Sequence, residues 1–549
     1  MLSLVSCSQR ETEEEVLAKI DDLVVTEAHF EAAFKKYYYQ TGQAIEPSFS
    51  VKSSVLDTEF NTYVLATYAK EAGIADDAES VRQYGMIERK VFAEEYLEEE
   101  VLEGLQVTEE EIRELFLRFN TKIKASHLYA PDKAGADELY RRLQAGASFE
   151  ELASESFQNP YLARNGGDVG EFSIDEMDIA FENEAYSLGI GEVSKPVKTK
   201  QGYSIIKVTG RNTTPIITEF QYASSKNQFE VFAERRKREL ETRAHLEEVL
   251  RALNVNSEHI SQLWEDVVSN QAGILTLSAD QNQLQISTNK PDDLVLAQKG
   301  DYTFTLRDLR EEGYYSPQVN LNRITEGYRF QNFIKGLIYR DYVTSEFKET
   351  VQAESALVKN SIKQTYLNYL GTRVEEKLRE EIELTEQEMQ EEFYQNKAMY
   401  DFPMIVNLAR IVVESKERGE LVVNELENGM KWEDAIKQFT IDMQDLMVNG
   451  ELGLQPIQSL GTHGFHLQDA KPGDVIGPLE YQTGKLMIYK VLEVQEPRES
   501  EFREVSDLVE KVLIEKKVKQ KKIELIEEVK DRYNAVLNYD KLKALNIKL

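Results

Sequence analysis

Leu97-Glu-Glu-Glu-Val-Leu-Glu-Gly-Leu-Gln-Val-Thr-Glu-Glu-Glu-Ile-Arg-Glu-Leu-Phe116 has a near copy later in the same chain, Val374-Glu-Glu-Lys-Leu-Arg-Glu-Glu-Ile-Glu-Leu-Thr-Glu-Gln-Glu-Met-Gln-Glu-Glu-Phe393, 277 residues on. Three further pairs recur in chain order. Val16-Leu17-Ala18 returns as Val295-Leu296-Ala297 after 279 residues, the stretch from Leu143 to Glu151 returns at Leu426 to Asp434 after 283, and Glu219-Phe220 returns as Glu501-Phe502 after 282. Nearly constant offsets in sequence order mean a tandem duplication. Each copy reads as a short apolar strand, several amphipathic helices, a compact α+β segment and a closing charged helix. Thr108 and Thr385, each followed by Glu three residues on, have the pattern of capping boxes that open the helix leading into the compact segment. The predicted fold class is α+β, with helical arms interrupted twice.

With 549 residues the chain exceeds one hydrophobic core, and 41% apolar content supplies material for three to five domains. A formal net charge of −33 repels phosphate backbones and anionic headgroups, so no nucleic-acid partner is expected. The basic stretch from Lys511 to Lys522 is the main exception and reads as a solvated helix face. Nowhere do uninterrupted apolar residues reach the roughly 18 of a membrane span.

Cys7 is the single cysteine, which excludes an internal disulfide and a thiolate metal site. Leu4-Val5-Ser6-Cys7 resembles a bacterial lipobox, so Cys7 is the candidate lipidation site and the chain is expected to be anchored to a membrane rather than inserted. Only six residues precede it, so the export signal looks truncated or the start misassigned. Ser8 stands where an aspartate commonly retains lipoproteins at the inner membrane, and by that resemblance a periplasmic chain anchored to the outer membrane is expected.

Ile123-Lys124-Ala125-Ser126-His127-Leu128, Phe149-Glu-Glu-Leu-Ala153, Gly166-Gly-Asp-Val-Gly-Glu-Phe172, Met177, Phe181, Gly189-Ile-Gly-Glu-Val-Ser-Lys-Pro-Val197 and Gly202-Tyr-Ser-Ile-Ile-Lys-Val208 follow one another in the order and spacing of the parvulin prolyl isomerases. The segment resembles that family throughout, and the wider layout resembles the SurA- and PrsA-type exported foldases. The resemblance implies a helical chaperone interrupted by two parvulin-like domains of FKBP-like topology. The boundaries it suggests are 1–13 for the lipobox and tether, 14–118 for the first helical part, 119–213 for the first parvulin-like domain and 214–290 for the helices completing that module. The second module then runs 291–400, 401–496 for a degenerate parvulin-like domain, and 497–549.

Prolyl isomerisation needs no nucleophile, metal or cofactor, because the barrier of about 18–20 kcal/mol comes from amide resonance; what is needed is an apolar pocket that favours the twisted amide. By the resemblance Val169, Met177 and Phe181 line that pocket, although Met177 and Phe181 alone would read as i, i+4 core packing. His127 matches the first histidine of the family's polar pair, while Ser204 stands at the second and Asn159 at the acid or thiol position. A serine and an asparagine can hydrogen-bond but do not titrate near neutrality, so weakened catalysis is expected from the trio His127, Asn159 and Ser204. Gly166 to Gly170 lacks the Lys-Ser/Thr ending of a phosphate loop and reads as a turn feeding a strand.

In the second copy the offset puts Arg410 at the His127 position, Leu460 at Met177, Met487 at Ser204 and Asp442 opposite Asn159, where it has nothing evident to organise. His463 and His466 lack matching acidic or histidine partners for a metal and read as a polar loop. The expected function is that of a periplasmic folding factor for unfolded or nascent exported proteins, outer-membrane proteins among them, with weak isomerase activity in the first domain and none in the second. The alternatives are a fully active isomerase and a surface-assembly scaffold with an idle fold. Neither the clients nor the oligomeric state is written in these motifs.

Overall fold

The computed structural model describes residues 16–41, 47–157, 159–213, 219–269, 275–278, 280–442, 445, 448–482 and 485–547. Cys7, the candidate lipidation site, lies outside them.

Both compact segments fold as four-stranded antiparallel sheets with the same strand order. Thr121–Ala130 lies between Asp168–Phe172 and Tyr203–Thr213, with Val197–Lys198 outside the latter. Ile405–Val413 takes the same place between Glu451–Pro456 and Lys485–Gln495, with Val475–Gln482 outside. Because successive side chains on a strand point to opposite faces, Ile123 and Ala125 join Ile206, Val208 and Phe181 on one side of the first sheet, while Leu128 and Ile205 pack with Phe149 and Leu152 on the other.

The helices flanking each sheet close on one another. Glu109–Phe119 and Glu386–Gln395 both start with a complete capping box, Thr108 with Glu111 and Thr385 with Glu388. Ile112 and Phe116 of the first bury against Tyr222 and Phe229 of the Glu219–Ala252 helix. Phe393 of the second buries against Val505 and Val509 of the Phe502–Arg532 helix. The basic stretch on that last helix is more than a solvated face, since Lys516, Lys517 and Lys522 pair with Glu392, Glu388 and Glu375.

The two copies exchange their opening strands, which sequence boundaries at 290 and 291 do not anticipate. The chain forms one compact unit from Ala69–Leu370 and another from Met1–Tyr68 with Gly371–Leu549. In the first, the hairpin Val295–Lys299 and Tyr302–Thr305 docks on the end of the first copy, with Asn256 N–H donating to Leu296 O at 2.8 Å and Leu253 and Ile260 sharing a core with Leu296 and Phe304. In the second, the hairpin Val16–Ile20 and Leu23–Thr26 is extended by Val536–Leu537 from the end of the chain, and Asn538 N–H donates to Leu17 O at 2.8 Å. Asn538 and Leu17 are the duplication partners of Asn256 and Leu296, so the same junction is made twice, each time across copies.

Candidate functional site

His127 and Ser204 sit on neighbouring strands, and the register Tyr129 to Ser204 and His127 to Ile206 makes them diagonal neighbours on one face. His127 Nδ1 lies 3.2 Å from Ser204 Oγ. The imidazole packs between Phe157 and Phe181, with ring centroids 5.0 and 5.5 Å away. Burial among these rings pushes the His127 pKa down from 6.5 to about 4, so the ring is neutral at physiological pH. Phe181 is buried, and Val169 and Met177 are half-buried against the same apolar cluster. His127, Ser204, Val169, Met177 and Phe181 therefore converge.

Asn159 does not join them. It is exposed, and its side chain accepts from Tyr161 N–H at 2.8 Å to cap the short Pro160–Arg164 helix. The proline at the first helical position makes Asn159 an ordinary N-cap, and the ring packed on His127 from this stretch is Phe157.

The glycine turn positions the histidine. His127 N–H donates to Gly167 O at 3.0 Å, and at φ +73° a Cβ on Gly167 would fall 2.0 Å from the His127 carbonyl oxygen. Only glycine tolerates both constraints.

A clamp not anticipated from the sequence holds the pocket wall to the helical body. Glu182, fully buried beside Phe181, accepts from Met177 N–H at 2.9 Å and lies 2.8 Å from Arg236 Nη2 of the Glu219–Ala252 helix. The alignment with Arg236 is that of an ion pair rather than a directed hydrogen bond. Burial raises the Glu182 pKa, opposed by the Met177 N–H and Arg236. Asp178, next to Met177, caps the Ile179–Ser187 helix and pairs with Arg243 at 3.2 Å, and Asp175 pairs with Arg235 at 2.6 Å. No local pattern in the sequence marks the pair, since Glu182 shares its helix with Asn183 and Glu184.

The second copy repeats the backbone and replaces the polar chemistry. Arg410 N–H donates to Gly450 O at 2.9 Å, the equivalent of His127 and Gly167. The Arg410 guanidinium then reaches Asp445 at 2.8 and 3.0 Å and Asp442 at 3.2 Å. Asp442 thus has a partner after all: Arg410 itself. Met487 is buried and Leu460 packs on the same core. His463 lies on the Ile457–Leu467 3-10 stretch, its Nδ1 2.9 Å from Tyr489 Oη and its Nε2 2.7 Å from the Glu480 carbonyl, which leaves neither ring nitrogen open to a metal.

The two segments are both of one class. Residues 117–210 match the rotamase family described as a PPIC-type PPIase domain, and residues 384–507 match a second rotamase family with the same description. The Foldase protein PrsA of Geobacillus kaustophilus is 42% identical over 120 residues, 22% of this chain and 43% of its own, so the chain spans less than half that relative's length. Foldase protein PrsA 2 of Bacillus anthracis is 30% identical over 240 residues, 41% of this chain and 80% of its own. A crystal structure of peptidylprolyl isomerase (PrsA) from Bacillus anthracis is 26% identical, covering 39% of this chain and 88% of its own with a TM-score of 0.21. The chain belongs to the PrsA family of parvulin-type foldases, with two parvulin domains.

Proposed function

We propose that this chain is an extracytoplasmic folding factor that holds unfolded exported polypeptides on its helical body and isomerises prolyl bonds slowly in its first parvulin domain. The second domain binds without turnover. The observation that carries this reading is the contrast at one backbone position: a neutral imidazole facing Phe181 in the first copy, and an Arg410 cluster with Asp442 and Asp445 in the second.

In the first domain the apolar wall of Val169, Met177 and Phe181 receives the proline ring and excludes water. A twisted imide loses resonance and places a lone pair on nitrogen, so the pocket accelerates rotation by offering polar groups to that state and not to the planar one. Ser204 Oγ and His127 are the polar groups at hand. No proton moves to or from the substrate, which is why a neutral histidine suffices. In the second domain a guanidinium committed to two carboxylates adds no such donor. Several weak sites on one chain also raise the effective concentration for a long unfolded client.

Anchoring through an acylated Cys7 to the outer membrane belongs to the same proposal and rests on the lipobox-like Leu4 to Cys7 and on Ser8 after it. Intact mass of the native membrane-extracted protein tests it: a chain carrying no acyl mass at Cys7 rules the anchor out. The function is tested by measuring aggregation suppression and proline-peptide isomerisation on the same full-length protein. Holding without a measurable His127-dependent rate reduces the proposal to a holdase, and a rate from the isolated 401–496 segment overturns the division of labour.

A further inference from the structure

A cleft of about 920 Å³ opens between the first parvulin sheet, the end of the Glu219–Ala252 helix and the Gly327–Lys348 helix. It is separate from the proline pocket, but Arg243 on its wall pairs with Asp178, one residue from Met177. A second hollow of about 310 Å³ shares the wall of Lys200, Gln201, Tyr328 and Asn332 and adds Arg323. Leu246, Leu250 and Val255 give the cleft an apolar side.

Its charges do not balance. The two acids of the wall are already engaged: Asp132 caps the Lys133–Gln144 helix by accepting from Gly135 N–H, and Glu247 pairs with Lys198 at 2.8 Å. Lys133, Lys200 and Arg243 pair with Asp137, Glu239 and Asp178. Among the described residues Arg251, Arg323 and Lys335 have no carboxylate partner, in a chain whose formal charge is −33. Lys335 is half-buried, and its burial together with nearby Lys198 holds its ammonium below the ordinary lysine pKa. A carboxylate arriving there would favour the charged ammonium and so offset both effects.

We propose that this cleft is a binding site for acidic segments of an unfolded polypeptide, whose carboxylates meet Lys335, Arg251 and Arg323 while neighbouring apolar side chains lie on Leu246, Leu250 and Val255. The proposal rests on the reading of the chain as a binder of unfolded segments and specifies which segments it favours. Charge complementarity selects the occupant: a basic segment would face unpaired cations, and a purely apolar one would leave them desolvated without partners.

The test is fluorescence anisotropy on the full-length protein at low ionic strength, with a labelled proline-free peptide alternating Asp or Glu with apolar residues, and with its Asn/Gln counterpart. The acidic peptide is expected to bind more tightly, to weaken with salt, and to lose about tenfold in affinity with each of Lys335→Met and Arg251→Gln. Equal binding of the two peptides, or unchanged affinity in both folded variants, overturns the proposal. If either variant melts early, the peptide comparison and the salt dependence on the unaltered protein decide. Aggregation suppression of an unfolded client, measured alongside, separates the two levels: intact suppression without acidic preference removes this site alone, whereas loss of all peptide and client binding removes the proposed function too.

Discussion

Arg236 on the long Glu219–Ala252 helix lies 2.8 Å from Glu182, the residue after Phe181 in the pocket helix, and both are almost completely buried. One carboxylate thus ties the helical body to the pocket wall and, through Met177 N–H, sets that wall's backbone. Removing one member of a buried pair leaves the other charge desolvated and costs about 3–5 kcal/mol. Arg236→Met is expected to lower the unfolding free energy of the 69–370 unit by that order. Adding Glu182→Gln should recover part of it, because the amide oxygen still accepts from Met177. A double-mutant cycle by urea denaturation checks this; strictly additive losses would show the pair is not coupled.

His127 takes up a proton only near pH 4, against 6.5 for an ordinary histidine. Its folded pKa is depressed, so its contribution is fully present above pH 6.5 and is lost as pH falls through that value towards about 4, where the unfolded chain is protonated and the folded one is not. NMR titration of the ring should find it neutral at pH 6. A midpoint above 6 would mean the ring is hydrated and the pocket open. His127→Ala should lower the isomerase rate while leaving client holding nearly intact, and Phe181→Ala should lower the rate further by admitting water, with a stability loss of about 3–5 kcal/mol.

Arg410→Ala in the second domain strands the buried Asp445, whose carboxyl pKa burial already raises. The expected outcome is a loss of about 3 kcal/mol or more that shrinks at acidic pH as Asp445 becomes neutral. Thermal melts at two pH values check it. Since Asp442 and Asp445 are acids, Arg410→His should not by itself create a rate on proline peptides: Met487 offers no counterpart to the Ser204 hydroxyl.

The exchanged hairpins predict which fragments fold. Residues 69–370 should melt cooperatively alone, whereas 14–290 should not, because Leu253 and Ile260 would lose Leu296 and Phe304 from their core. Deleting 533–549 should destabilise the unit holding Val16–Ile20 and leave the melting of the other unchanged. Circular dichroism melts of the fragments decide the matter.

Much of this protein was legible in its residues. The repeat of Leu97–Phe116 at Val374–Phe393, the capping boxes at Thr108 and Thr385, and the strand and glycine motifs from Ile123 to Val208 each depend on neighbours close in sequence or on a periodic pattern, and the α+β class with two parvulin domains followed from them. The convergence of His127 and Ser204 was legible through motif spacing, because strand register fixes it. Asn159 was misplaced by its family position, although the proline that follows it is a local signal of the N-cap it forms. Tertiary structure alone decided the Glu182–Arg236 clamp, since an ion pair between distant helices leaves no periodic trace. It also decided the partner of each opening hairpin. Leu17 and Leu296 offer the same carbonyl to the same kind of junction, and Asn256 and Asn538 offer the same N–H, so local chemistry cannot distinguish pairing within a copy from pairing across copies. Which of the two equivalent pairings forms depends on how the intervening helices route the chain, a property of the whole fold.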